Sequence, residues 1–136
     1  MKKLDLVYII DDDEVIMYLT GRLISNAEFS ERVETFLNAS EALTKLKDGL
    51  ENGGELPDAI LFDLNMPEID GWQFIETFQK MPGAKKIPCF VFTTSIDPSD
   101  KNKSLKYKII KDFITKPLTH QKLDKILRLV DKKDKS

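Results

Sequence analysis

Apolar residues along the chain follow two kinds of pattern. Four short runs, Leu6 to Ile10, Ala59 to Phe62, Cys89 to Phe92 and Phe113-Ile114, are continuous rather than alternating, the mark of strands covered on both faces in a parallel sheet. A weaker fifth run spans Val33 to Leu37. Between the runs, apolar positions recur at helical spacing: Ile16, Leu19 and Leu23; Ala39, Ala42, Leu43, Leu46 and Leu50; Phe74, Ile75 and Phe78; Leu123, Ile126, Leu127 and Val130. Each set gives a helix one stripe to bury. Asn38 three residues before Glu41 resembles a capping box, Asp97-Pro98 reads as a cap followed by proline at the first helical position, and Thr119 can cap the final helix. The segment Pro98 to Lys108 offers only Leu105 and Tyr107 as an apolar face, so its helix should be short or mobile. Strand and helix alternate five times, which predicts an α/β fold: a doubly wound, five-stranded parallel sheet with right-handed crossovers and helices on both faces. Glu51-Asn52-Gly53-Gly54-Glu55 reads as a surface turn. Residues 1-136 read as one domain, with a core over about 4-130 and a charged, frayed tail over 131-136.

Composition narrows the class without naming a function. The 136 residues are 41% hydrophobic and 32% charged, with a formal net charge of -2. That balance carries neither the basic footprint of a nucleic-acid binder nor the acidity of a disordered chain. The longest apolar run, Leu6 to Ile10, is far short of the roughly 20 residues a membrane helix needs. Asp5 and Asp11-Asp12-Asp13 interrupt the stretch after Met1-Lys2-Lys3 that a signal peptide would keep apolar. Cys89 is the single cysteine and lies in an apolar run, so it reads as a small buried hydrophobe rather than half of a disulfide. The expectation is a soluble, reduced, cytoplasmic protein with neither membrane nor nucleic acid as partner.

The chemistry collects where the strands end. The first run ends in Asp11-Asp12-Asp13, the third in Asp63, the fourth in Thr93-Thr94-Ser95 and the fifth in Thr115-Lys116-Pro117. In open α/β sheets ligands bind beyond the carboxyl ends of the strands, so acids, hydroxyls and a cation should converge on one edge. A strand-end Asp alone is most simply a cap for the next helix, and Asp13 suits that role. Several carboxylates at one edge repel unless a cation or a proton compensates them. Oxygen donors without His or Cys favour magnesium or manganese over zinc.

Together Ile9-Ile10-Asp11-Asp12-Asp13-Glu14, Leu61-Phe62-Asp63-Leu64-Asn65-Met66-Pro67 with Asp70-Gly71, then Thr93, and Thr115-Lys116-Pro117 resemble the receiver domain of two-component response regulators, over about Leu6 to Val130. The resemblance implies the flavodoxin-like sheet order 2-1-3-4-5. It implies a phosphoryl acceptor at Asp63, and magnesium or manganese held by Asp11, Asp12, Asp63 and the backbone carbonyl of Asn65. It further implies switch and phosphate contacts at Thr93, Thr94 and Lys116, and a cis bond before Pro117, where the residues alone favour trans. Asn65 and Ser95 should border the phosphate. Phe113 stands where many members carry Tyr, so a swinging ring would act without a hydroxyl; an ordinary core role suits it as well. The donor would be a sensor histidine kinase or a histidine phosphotransfer protein. Output would be a stand-alone domain binding a downstream protein through the helix within 98-108, the fifth strand and the last helix.

Acyl-phosphate chemistry suits these residues, since transfer to a carboxylate is mostly positioning and charge neutralisation. Two other classes compete. The segment Ile9 to Val15 also resembles the opening of haloacid-dehalogenase-type phosphatases, with Asp11 as nucleophile, Asp13 as acid/base and Thr93 and Lys116 in the later roles, but no further acidic motif follows Lys116. A receiver-shaped scaffold that is never phosphorylated is the other. His120 reads as a surface residue, Trp72 as packing, and the lysines at 101, 103, 106, 108 and 111 as a solvated face or, second, a surface for an acidic protein.

Overall fold

The computed structural model describes the backbone of residues 3-134 and the side chains of 3-130. In chain order the elements are β1 (Leu4–Ile10), α1 (Glu14–Asn26), β2 (Ser30–Phe36), α2 (Ala39–Asn52), β3 (Ala59–Phe62), α3 (Gly71–Gln79), a 3₁₀ turn at Ala84–Lys86, β4 (Cys89–Thr93), α4 (Pro98–Ser104), β5 (Ile110–Thr115) and α5 (His120–Asp134). The strands form one parallel sheet in the order β2-β1-β3-β4-β5. The expected architecture and strand order are therefore present.

Position in the sheet explains which strands were easy to read. Central β3 and β4 are buried at every position, and β1 at all but Asp5. They pack helices on both faces, so neither face tolerates polar residues. Edge strands β2 and β5 are half polar, and their true starts, Ser30 and Ile110, lie before the apolar runs that betrayed them. Alternate residues of β1 feed two cores. Leu6, Tyr8 and Ile10 meet Ala42, Leu46, Phe74 and Phe78 of α2 and α3, whereas Val7 and Ile9 meet Met17, Ile24, Leu123 and Ile126 of α1 and α5. Phe74, Ile75 and Phe78 are fully buried, each contributing roughly 1.5–3 kcal/mol of transfer free energy.

Caps set the helix starts. Asp13 accepts from the amides of Val15 and Ile16 at 3.0 and 3.1 Å. Asn38 accepts from Glu41 at 2.9 Å, one half of the expected box, while the reciprocal box is instead Asp70 with Gln73. Asp97 accepts from Ser99 with Pro98 at the first position, and Thr119 from the amide of Lys122.

Some expectations fail. On α1, Leu19 is 57% exposed and the buried stripe is Met17, Thr20 and Ile24; the helix is rotated so that the small Thr20 faces the sheet. Leu105 is 76% exposed, leaving Tyr107 to anchor the end of α4, where it stacks on Trp72 with ring centroids 5.9 Å apart. Glu51 and Asn52 are helical, and the turn begins only at Gly53, whose φ of 72° is the left-handed cap that glycine adopts without strain. The backbone of α5 continues to Asp134, into the stretch expected as a tail; Lys135 and Ser136 lie outside the described residues.

Tyr8 is a polar exception inside the core. Its hydroxyl is buried with no hydrogen-bond partner among the described residues, and its ring packs on Phe36 at 4.8 Å. Burial, aided by the charges of Glu34 and Glu55, pushes its pKa up to about 12. An unfolded tyrosine ionises near pH ~10, so the buried phenol's contribution to stability is complete below that pH and is lost as pH rises through the folded value. Tyr8→Phe should therefore unfold at equal or higher urea concentration at neutral pH. It should also lack about 1.4 kcal/mol of the loss that the parent protein shows by roughly pH 11, as read from urea melts at both pH values. Equal alkaline loss in both proteins would mean that Tyr8 ionises freely.

Candidate functional site

Asp11, Asp63 and Lys116 each stand one step past a strand, on a rung that prolongs the sheet. The amide of Asp11 donates to the carbonyl of Phe36 at 3.0 Å, that of Asp63 to Ile10 at 3.0 Å and that of Lys116 to Thr93 at 2.8 Å. The ladder that builds the fold thus fixes the backbones of Asp11, Asp63 and Lys116.

Carboxylate oxygens of Asp11, Asp12 and Asp63 lie within 4.8 Å of one another. Asp11 and Asp63 are buried and Asp12 is exposed, so the cluster opens to solvent on one side. Lys116, its side chain 6% exposed, pairs with Oδ2 of Asp11 and, at 3.2 Å, with Oδ2 of Asp63. The other oxygens are tied to backbone: Oδ1 of Asp11 accepts from Asp13 at 3.0 Å and Oδ1 of Asp63 from Leu64 at 2.7 Å. Three carboxylates against one ammonium leave two negative charges uncompensated. Burial raises the pKa of Asp11, and nearby Asp63 adds to the rise, against the opposing pull of Lys116. For Lys116 burial acts downward, but the bond to Asp11 and the charges of Asp63 and Asp11 outweigh it, so its pKa lies above the ordinary value.

The other expected residues fall in different places. Thr93 is fully buried at the end of β4, its hydroxyl accepting from the amide of Ser95 at 3.3 Å; Thr94 is exposed beside it. Asn65 is exposed in the turn after Asp63, its amide 3.5 Å from Oδ1 of Asp63. Ser95, expected to face the same space, instead donates to Asp100 at 2.6 Å and accepts from Asp97, organising the start of α4. Phe113 is half-buried in β5 against the core on the α2 and α3 side. The Lys116–Pro117 bond is cis, as the resemblance implied. Asp13 lies outside the cluster and its carboxylate caps α1, so it does not face Asp11 as the phosphatase reading required. His120 is exposed.

Two supporting residues were missed. Lys122, in the first turn of α5, donates to the carbonyls of Thr115 at 2.6 Å and Pro117 at 3.0 Å, clamping both sides of the loop that bears Lys116. Its signal was only a lysine six positions after Lys116, which is no signal until the loop is folded. Gly71 was seen as part of a motif but not for its function. Its amide donates to Leu64 at 2.9 Å, and a Cβ there would press on the carbonyl oxygen of Asp63 and stand 2.7 Å from Cα of Leu64. Only glycine lets α3 approach the acid's own backbone so closely.

The family model for the response regulator receiver domain matches residues 7–128. A two-component response regulator from Cytophaga hutchinsonii is 28% identical, with 96% of this chain and 99% of that one covered and a TM-score of 0.88. A response regulator receiver protein from Dyadobacter fermentans is 27% identical, with 93% and 97% covered and a TM-score of 0.81. Among curated proteins, the sensor histidine kinase CheAY of Helicobacter pylori is 31% identical over 69% of this chain, which spans only 12% of that protein. Among the described residues no helix is long and apolar enough to cross a membrane.

Two substitutions test the supports. Gly71→Ala must displace backbone rather than a flexible side chain, so it should cost roughly 1–3 kcal/mol in urea unfolding; a cost near zero would show the close approach to be slack. Lys122→Met leaves two loop carbonyls without their donor and should cost roughly 1–2 kcal/mol, with a chemical-shift change at Lys116 as the accompanying signature. An unmoved Lys116 signal would mean that the clamp does not position it.

Proposed function

Because the chain belongs to the response regulator receiver domain family, we propose that it is a phosphoacceptor in which Asp63 takes a phosphoryl group from a phosphohistidine and signals through a change in protein binding. Receiver domains are signalling phosphoacceptors served by histidine kinases, so the donor class is a sensor histidine kinase or a histidine phosphotransfer protein. The observation that carries the reading is the shared Lys116, which holds Asp63 and Asp11 in one buried cluster with Asp12 at its open side.

Transfer requires an oxygen of Asp63 to form a bond to phosphorus as the bond to the imidazole nitrogen breaks, the electron pair leaving on the imidazole. With Oδ1 tied to the amide of Leu64, Oδ2, which Lys116 holds, is the oxygen left to attack phosphorus. Lys116, already at Oδ2, can follow the incoming phosphoryl oxygens as a flexible point charge. Thr93 and Thr94 border the same edge and would meet those oxygens next. The donor set suits a hard divalent ion: three clustered carboxylates, no His or Cys among them, and two charges to compensate. Asp11, Asp12 and Asp63, with the carbonyl of Asn65, would hold magnesium or manganese, which when bound neutralises charge on the transferred oxygens. No turnover of a separate substrate is part of this reading.

For output, the face around α4 and β5 has support of its own. Ile96 and Leu105, 89% and 76% exposed, flank the seven-residue α4 and offer apolar contacts to a protein partner, while half-buried Phe113 lies in the adjacent strand. A face held this lightly can be repacked when charge arriving on Asp63 draws on the neighbouring Thr93 hydroxyl. A cytoplasmic location belongs to the same reading.

Incubation with acetyl phosphate and magnesium, followed by mass spectrometry, tests the acceptor. One hydroxylamine-labile phosphoryl group should appear, be absent from Asp63→Asn, and need about tenfold more magnesium in Asp12→Ala. Undiminished labelling of Asp63→Asn, or full labelling without a divalent ion, would overturn the assignment.

A further inference from the structure

The lysine-rich stretch of the sequence divides once the chain is folded. Lys103 leaves it to lie over the ring of Trp72, 4.8 Å from the centroid. Lys106, Lys108 and Lys111 instead gather with Lys85, which arrives from the 3₁₀ turn before β4, around a groove of about 370 Å³ whose remaining lining is Gln79 and Ile109. Four ammonium groups thus line it with no carboxylate among them.

Three features distinguish this groove from an ordinary solvated face. Its lysines are exposed, and among the described residues none of the four takes part in an ion pair. Its frame is rigid: Ile109 is buried at the floor, Cys89 donates to Ile109 at 3.0 Å, and Lys111 falls at a shift in the β4–β5 register and donates to the carbonyl of Lys108 at 3.0 Å. Its place is the amino-terminal edge of β4 and β5, the opposite end of the strands from Asp63, Thr93 and Lys116, so an occupant would leave the carboxylate cluster open.

We propose that this groove docks an acidic segment of a partner protein, independently of phosphorylation. Charge complementarity selects the occupant. A run of Glu and Asp carboxylates can meet four ammonium groups that have no ion-pair partner among the described residues, and an apolar side chain in the run can rest on Ile109. A nucleic acid suits it less well, because the lining has no aromatic ring on which a base could stack. Docking at this edge raises the local concentration of a partner near the α4 face without using that face.

Fluorescence anisotropy of a labelled decapeptide of Glu, Asp and Leu tests the proposal on the whole chain. Saturable binding should weaken at least tenfold in the Lys106→Glu/Lys108→Glu double variant and on raising salt, and should be unchanged in a Lys47→Glu/Lys125→Glu control and in Asp63→Asn. Amide shifts on titration should centre on Gln79, Lys85 and 106–111. The proposal fails if no saturable binding occurs, if the control weakens equally, if the shifts centre elsewhere, or if a single-stranded oligonucleotide binds more tightly than the peptide. Urea melts of both double variants identify any loss caused by unfolding; in that event the single Lys85→Gln decides, with a loss of binding sustaining the proposal and unchanged binding overturning it.

Discussion

The interaction on which the site depends is the contact of one lysine with two buried carboxylates. Lys116 reaches from the end of β5 across β4 and β3 to Asp63 and to Asp11 at the end of β1. Two buried acids so close would repel strongly without it, and breaking a buried pair by removing one partner commonly costs several kcal/mol. The same lysine cannot satisfy the cluster completely, because Asp12 adds a third negative charge. The site is therefore stable enough to exist and still short of positive charge. On the proposed function, that shortage would couple a divalent cation to a phosphoryl group, which brings further negative charge that must be met.

Such a cluster needs a frame that does not relax when charges change. The frame is the sheet itself, since Asp11, Asp63 and Lys116 hang on rungs that continue its ladders. Helices then brace the loops: α3 through Gly71 against the backbone of Asp63, and α5 through Lys122 on the loop of Lys116. Asp63 in particular is supported in front by its own Leu64 amide and behind by glycine. The rigid parts are those nearest the acids. The lightly packed part is α4, one strand farther along, where a short helix is held by buried Ser104 and by the Tyr107 stack.

Much of this was legible before any coordinates, for a physical reason. Strands buried on both faces must be continuously apolar, so β1, β3 and β4 announced themselves and their polar termini marked the site edge. Doubly wound order then placed Asp11, Asp63, Thr93 and Lys116 together. What stayed hidden depended on rotation or on distant backbone. Nothing local says that α1 buries Thr20 and exposes Leu19, since both choices give a helical stripe and only the fit to β1 decides. The starts of β2 and β5 were obscured because edge strands carry polar residues. Lys122 could be recognised only after its loop had formed, whereas the Asp70–Gln73 spacing was a readable capping box that went unread; the hydroxyl of Tyr8, without a partner among the described residues, was masked by its apolar ring.

Charge is segregated along the strand axis in a way that net charge conceals. The carboxyl edge carries the acid cluster, while the amino edge of β4 and β5 carries four lysines around Ile109. With β4 spanning ~16 Å at about 3.3 Å per residue, the two ends lie beyond the Debye length of about 8 Å at physiological salt. Neither end therefore compensates the other through solvent, and each must find its own counter-charge. At the acid end Lys116 supplies part of that counter-charge and leaves room for a cation; at the basic end the protein supplies none among the described residues. On the docking and phosphoryl transfer proposed above, a partner would be held at one end while the chemistry at the other changes state. The α4 face lies between them, joined to the basic end by the Lys106–Lys111 turn and to the acid end by Ser95, whose hydroxyl bonds Asp100 while its amide bonds Thr93. A change at the acid edge thus has a direct covalent and hydrogen-bonded route into α4, a short and lightly packed helix.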